Sequence, residues 1–266
     1  MVIGGATLAF LGSLLIPPNP VVHSKRLSEW LRFYMPTSNA VLGSPQRLAA
    51  DEALRSLGAS AIPFLLHELQ DSRLGLWCYM RLRRARLIEG RYISAADRKV
   101  AASRAFLALG PAASNAVPAL IAIRQQSHSL DSQCAAIYAL AWIGPSAEAA
   151  MPMLLGEALS ANPRVSAGAL WALGEIRAQP SLAVSVLTNA LTSSNAWVQT
   201  CAAHALGNFG VSAWSAIPSL RAVTNTVATV NCDRSAEARA EALNAIRRIE
   251  AAEQEQADPL SILSVQ

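Results

Sequence analysis

"RVSAGALWALGEIR" (residues 164–177) and "WVQTCAAHALGNFG" (197–210) are two copies of one pattern, 33 residues apart. Its centre, Ala-(Leu/Phe)-x-x-(Leu/Ile/Phe)-(Gly/Arg), recurs as "ALRSLG" at 53, "AFLALG" at 105, "ALAWIG" at 139, "ALGEIR" at 172, "ALGNFG" at 205 and "ALNAIR" at 242. The steps are 52, 34, 33, 33 and 37 residues. A period of that size marks stacked supersecondary units. The Ala, the Leu and the second apolar residue stand at i, i+1 and i+4, on one face of a helix. Ala50, Ala102, Ala136, Ala169 and Ala202 at i−3 widen the stripe and let neighbouring helices approach closely. The terminal Gly predicts a left-handed C-cap.

A second signal follows four of the copies: "AIP" at 61, "AVP" at 116, "AMP" at 150 and "AIP" at 216, each before a Leu-containing run. Proline pre-sets φ and lacks an N–H that a first helical turn leaves unpaired, so each marks a second helix start. The fourth copy departs, with "SLAVSVLTNAL" and an earlier Pro180. Each unit is therefore two antiparallel helices. Neither helix can bury its apolar face alone, so the units must stack.

Composition agrees. Of 266 residues, 52% are hydrophobic and 15% charged, which excludes disorder, and the abundance of Ala and Leu favours helices over sheets. The net charge of +4 is local. Residues 71–99 hold eight Lys/Arg against Asp71, Glu89 and Asp97, so the rest of the chain is close to neutral. That argues against nucleic-acid binding along the whole surface. Cys78, Cys134, Cys201 and Cys232 form no CxxC pair and read as buried small hydrophobes.

Residues 164–177 and 197–210 resemble the V-x-x-x-A-A-x-A-L-G-x-(I/F)-G helix of HEAT repeats, in particular the short bacterial kind first noted in phycobilin lyases. The resemblance extends over about residues 47–250. It implies an all-α, right-handed α-α superhelix, a HEAT/armadillo-like solenoid of about six helix pairs with atypical end repeats. The lead-in "LSEWLRFY" (27–34) would supply the missing first helix of repeat one. With the apolar N-terminus, this lead-in also resembles membrane-anchored bacterial HEAT proteins.

Reaction chemistry is absent. There is no GxGxxG after a strand, P-loop, HExxH, GxSxG or EF-hand pattern. His23, His67, His128 and His204 are far apart, and "HE" occurs once, at His67–Glu68, where HEAT-like iron hydroxylases carry several such pairs. A HEAT-like DNA glycosylase would carry its charge in the repeats, which this chain does not. No cofactor, metal or catalytic residue is expected, and the expected function is a non-catalytic protein-protein interaction scaffold. The resemblance leaves two alternatives: a bilin-lyase-like chromophore handler, and nucleic-acid or anionic-lipid binding through the basic stretch.

In the motif helix, the positions just before the Ala (−1) and three after it (+3) lie one turn apart, away from the apolar stripe. They are Tyr138 and Trp142, Trp171 and Glu175, and His204 and Asn208 in the middle copies. In the flanking copies they are Glu52 and Ser56, Arg104 and Ala108, and Glu241 and Ala245. In HEAT proteins the corresponding helix lines the concave surface, so Tyr138, Trp142, Trp171, Glu175, His204 and Asn208 form a candidate binding column for a protein partner. The competing expectation is that the rings pack between repeats.

Two further segments stand outside the repeat. Residues 2–16, "VIGGATLAFLGSLLI", carry no charge and reach about 22 Å as a helix, less than the hydrocarbon core of a bilayer. The expectation is a membrane-targeting segment over 1–20, a lead-in over 21–46, the solenoid over 47–250 and an acidic tail over 251–266. Which side of the membrane the body faces is left open. The long first step holds a basic helical insertion over 71–97, with "RLRRARLIEGR" (81–91) supplying Arg81, Arg83, Arg84, Arg86 and Arg91. Leu74, Cys78, Leu82, Ala85 and Ile88 would form its apolar seam, leaving arginines for solvent, an acidic partner or lipid headgroups.

Overall fold

The computed structural model describes residues 17–36, 42–70, 93–225 and 233–257. Residues 1–16 of the segment expected to target a membrane, the five arginines of 81–91, Cys78 and Cys232 lie outside the described residues. The chain divides into two compact units, Met1–Ile143 and Gly144–Gln266. The fold is all-α and HEAT-like, with helices in repeat order.

The first unit holds α1 (Leu27–Trp30), α2 (Pro45–Leu57), α3 (Ile62–Leu69), α4 (Ala95–Leu109), α5 (Val117–Gln126) and α6 (Leu130–Ile143). The second holds α7 (Met151–Ala158), α8 (Pro163–Ile176), α9 (Pro180–Ala190), α10 (Ala196–Phe209), α11 (Ile217–Asn225) and α12 (Asp233–Ala257). Each of the six motif copies sits on an even-numbered helix, α2 to α12. In the first unit α4 packs against α2 and α6, with α3 on α4 and α5 on α6. In the second unit α10 lies between α8 and α12, with α7 on α8, α9 on α10 and α11 on α12. Each proline-started helix thus covers the motif helix that follows it. The core is the alanine–leucine stripe: Ala53, Leu54, Ala105, Phe106, Ala139, Leu140, Ala172, Leu173, Ala205 and Leu206 are all fully buried.

Local chemistry sets the helix starts. Four motif helices begin on a capping side chain that accepts an otherwise unpaired N–H. Ser94 Oγ accepts from Asp97 N at 3.0 Å and donates to Asp97 Oδ2 at 2.8 Å. Asn162 Oδ1 accepts from Arg164 N at 3.0 Å, and Asn195 Oδ1 accepts from Trp197 N at 3.0 Å. Ser44 caps α2 in the same way. The proline-started helices α3, α5, α7 and α9 have no side-chain cap, and Pro at their first turn removes a donor instead.

The terminal glycines correct one expectation. Gly110 has φ 50° and ψ −131°, and Gly58 and Gly210 match it closely. Their φ is positive, but ψ is far from the left-handed helical value near +47°. This is the geometry of the first central residue of a type II′ turn, which selects Gly. It sends the chain into a short 3-10 turn (Gly110–Ala116, for example) that delivers the Ala-x-Pro signal to the next helix. Arg177, which ends the fourth copy, is truly left-handed at φ 54° and ψ 27°. That copy has no 3-10 turn, and α9 starts directly after a left-handed Gln179. The missing Gly and the displaced proline are one departure.

The lead-in is more compact than a full helix. Val21–Val22 and Lys25–Arg26 form a two-residue hairpin across left-handed His23 and Ser24, and α1 runs into a 3-10 turn over Leu31–Tyr34. Trp30 Nε1 donates to the Val22 carbonyl at 3.2 Å, and Lys25 Nζ lies 4.7 Å from its ring centroid. At the other end α12 continues to Ala257, because "EAAEQEQA" (250–257) consists of strong helix formers.

Among the described residues one stretch, Ala95–Gln126, is long and apolar enough to cross a membrane. It is α4, a turn at Gly110 and α5, and its Ala101, Ala102, Phe106 and Leu120 lie in the core of the first unit.

Candidate functional site

In the second unit the polar half of the candidate column closes into a network across three motif helices. His204 on α10 stands between two carboxylates: Nδ1 is 3.0 Å from Glu241 Oε1 of α12, and Nε2 is 3.4 Å from Glu175 Oε1 of α8. Asn208, one turn further along α10, donates through Nδ2 to the same Glu175 oxygen at 3.2 Å. Arg248 of α12 donates to Asn208 Oδ1. A guanidinium has only donors, so Arg248 fixes which end of the amide faces Glu175.

The charge of His204 follows from its neighbours. The Glu175 hydrogen bond raises its pKa most, burial opposes, and Glu241 adds to the rise. A neutral imidazole carries one N–H and cannot donate to both carboxylates, whereas the imidazolium can. Cys201, one turn earlier on α10, has its thiol pushed up to about 12 by burial and then by Glu241. It is protonated, and therefore a poor nucleophile, at physiological pH. Cys134 is buried.

The network surrounds two close helix approaches in this unit. A Cβ on Gly174 would lie 2.6 Å from the Cα and Cβ of Ala205. A Cβ on Gly207 would lie 3.1 Å from the Ala245 Cα. Glu175 follows Gly174 and His204 precedes Ala205, so the side chains meet because the backbones nearly touch. Trp171 is half-buried on α8, one turn before Glu175.

In the first unit Tyr138 and Trp142 are half-buried on α6, one turn apart. Arg104, the matching position on α4, turns back to donate to the Tyr34 carbonyl at 3.2 Å. Tyr34 is fully buried, its hydroxyl donating to Asp51, and the Arg47 guanidinium sits 3.5 Å from its ring centroid and 3.2 Å from Asp51 Oδ1. Burial and the Asp51 carboxylate push the Tyr34 phenol well above the ordinary tyrosine range, so it stays protonated. Burial, and after it the Arg47 charge, lowers the pKa of Arg104. These groups seal the lead-in onto the first repeat.

The six column residues therefore have different settings. Glu175, His204 and Asn208 are tied to one another, while Tyr138, Trp142 and Trp171 present half-buried rings. The +3 positions of two flanking copies, Ala108 and Ala245, are buried, since a methyl there fits under the neighbouring helix. Sequence spacing found His204, Asn208, Glu175 and Glu241 but not Arg248, which falls outside the repeat register. The interior glycines 174 and 207 were visible as a shared "ALG", and their role required the helix separation. His67 is half-buried. Among the described residues no group of three His, Cys, Asp or Glu is arranged to hold a metal.

Residues 152–231 match the family model for HEAT repeats. No curated protein matches the chain. Among solved structures the chain is similar to an engineered protein from a structural genomics consortium, at 22% identity and a TM-score of 0.46. That match covers 85% of this chain and 97% of the other. HEAT repeats generally serve as protein-interaction scaffolds, and the fold is typically non-catalytic.

Proposed function

We propose that this protein is a non-catalytic scaffold that binds a protein partner through the candidate column on its motif helices. The observation that carries the reading is the set of half-buried rings at the −1 and +3 positions: Tyr138 and Trp142 in the first unit, Trp171 in the second. Aromatic side chains supply large contact area at low entropic cost and dominate binding hot spots. The test is capture of partners by the wild type and by Trp142→Ala and Trp171→Ala. Lost capture at an unchanged melting temperature supports the reading, and a large fall in melting temperature with capture retained assigns the rings to packing.

Tethering of the scaffold at a membrane rests on the uncharged run 2–16 followed by Lys25, Arg26 and Arg32. Fractionation of the full chain and of a chain lacking residues 2–16 tests it. If both stay in the soluble fraction, the tether is rejected. Contact of the arginine run with anionic headgroups is tested by vesicle co-sedimentation with and without Arg→Ala changes at 83, 84 and 86. Salt-insensitive binding, or none, rejects it.

A further inference from the structure

We propose that His204 is a proton-operated clasp that ties α8, α10 and α12 of the second unit together and loosens its hold on α8 when it loses its charge. The proposal is independent of what the scaffold binds.

The geometry defines two states of one network. With both ring nitrogens protonated, Nδ1–H donates to Glu241 and Nε2–H donates to Glu175, so one side chain of α10 grips both flanking helices. With one proton lost, a lone pair on Nε2 would face the Glu175 oxygen, which is repulsive. The structure already holds the replacement partner: Asn208 Nδ2 is 3.4 Å from His204 Nε2 and 3.2 Å from Glu175 Oε1. Its two hydrogens can serve both. In the neutral state Nδ1–H keeps Glu241, Nε2 accepts from Asn208, and the direct link from α10 to Glu175 passes to the amide. Arg248 holds Asn208 in the orientation that makes this possible.

The charged groups facing the imidazole are Glu175 from α8 and Glu241 from α12, with Arg248 of α12 reaching Asn208. On α10 itself Cys201 is neutral up to about 12. The helix α9 carries no titratable side chain, and Arg221 of α11 is paired with Glu250 at 3.3 Å. The direction of regulation follows. Because its folded pKa is raised above the ordinary 6.5, His204 contributes stability that is complete below that value. This contribution is lost as pH rises through the raised folded pKa. The clasp is closed below that raised midpoint and opens as pH rises through it.

The experiment is an imidazole nitrogen-15 titration of the full wild-type chain, assigned with His204→Gln, together with urea unfolding of both proteins from pH 5.5 to 9. The expected results are a His204 midpoint above 6.5, with both ring nitrogens protonated below it. The stability difference between wild type and His204→Gln should be largest at acidic pH and shrink as pH rises through that midpoint. Glu175→Gln should lower the midpoint. A midpoint at or below 6.5, or a stability difference independent of pH, overturns the clasp. If His204→Gln fails to fold, the His204 signals are assigned on the wild type by through-bond correlation to its backbone, so the titration still decides.

Discussion

Replacing Gly174 by alanine adds one methyl group to the second unit, and the structure fixes what that methyl meets. It would lie 2.6 Å from both the Cα and the Cβ of Ala205. Carbon atoms settle at about 3.5–4.0 Å, so roughly 1 Å of relief is required. The obstacle is backbone and cannot rotate away, so α8 and α10 must part. A gap of about 0.5–1 Å forfeits about a quarter to a half of each dispersion contact along the interface. Overpacking of this kind costs about 1–3 kcal/mol, against about 0.5–1 kcal/mol gained because alanine favours the helix. The net expectation is destabilisation by up to about 2.5 kcal/mol, or up to about 10 °C in melting temperature for a chain of this size. Gly156, inside α7, is the control, since its added methyl would meet nothing within 4 Å. Gly156→Ala should be stabilising by about 0.5–1 kcal/mol. Thermal melts followed by far-UV circular dichroism, with urea midpoints as a second measure, compare the two. If Gly174→Ala proves as stable as Gly156→Ala, the close approach of α8 and α10 is wrong.

Gly110→Ala meets no neighbouring atom, yet it should cost about 1–3 kcal/mol through backbone strain alone, read as a lower urea midpoint with an unchanged slope. Tyr34→Phe removes the hydroxyl that donates to Asp51 and should cost about 1–2 kcal/mol, whereas Tyr34→Phe combined with Asp51→Asn should cost less than the sum of the two single changes. With the other three cysteines replaced by alanine, Cys201 should react with a thiol reagent at pH 8 far more slowly in the native protein than in urea. Equal rates would contradict its burial and its raised pKa of about 12. Asn195→Ala should lower stability by about 1 kcal/mol through the loss of the α10 cap, and proteolysis near residue 195 would locate the frayed end.

The repeat spacing alone determined the architecture, because helical periodicity is a local property and six copies of one stripe admit one solution. "ALGEIR" and "ALGNFG" place Ala and Leu in a core whatever the neighbours are. The column positions were legible for the same reason, since −1 and +3 follow from 100° per residue. What those residues do could not be read. His204, Glu175 and Glu241 come from helices 29 and 37 residues apart in sequence, and their meeting depends on how closely α8, α10 and α12 approach. That separation is set by Gly174 and Gly207 against Ala205 and Ala245, a packing distance that no single helix encodes. The type II′ geometry of Gly110 was likewise hidden, because a positive φ can be read from Gly but the ψ is fixed by where the next helix must start. The sequence by itself determined which faces are apolar and where the copies of the motif fall. Only tertiary packing, in which backbone approach distances decide which side chains touch, turned a histidine between two distant glutamates into one charged network.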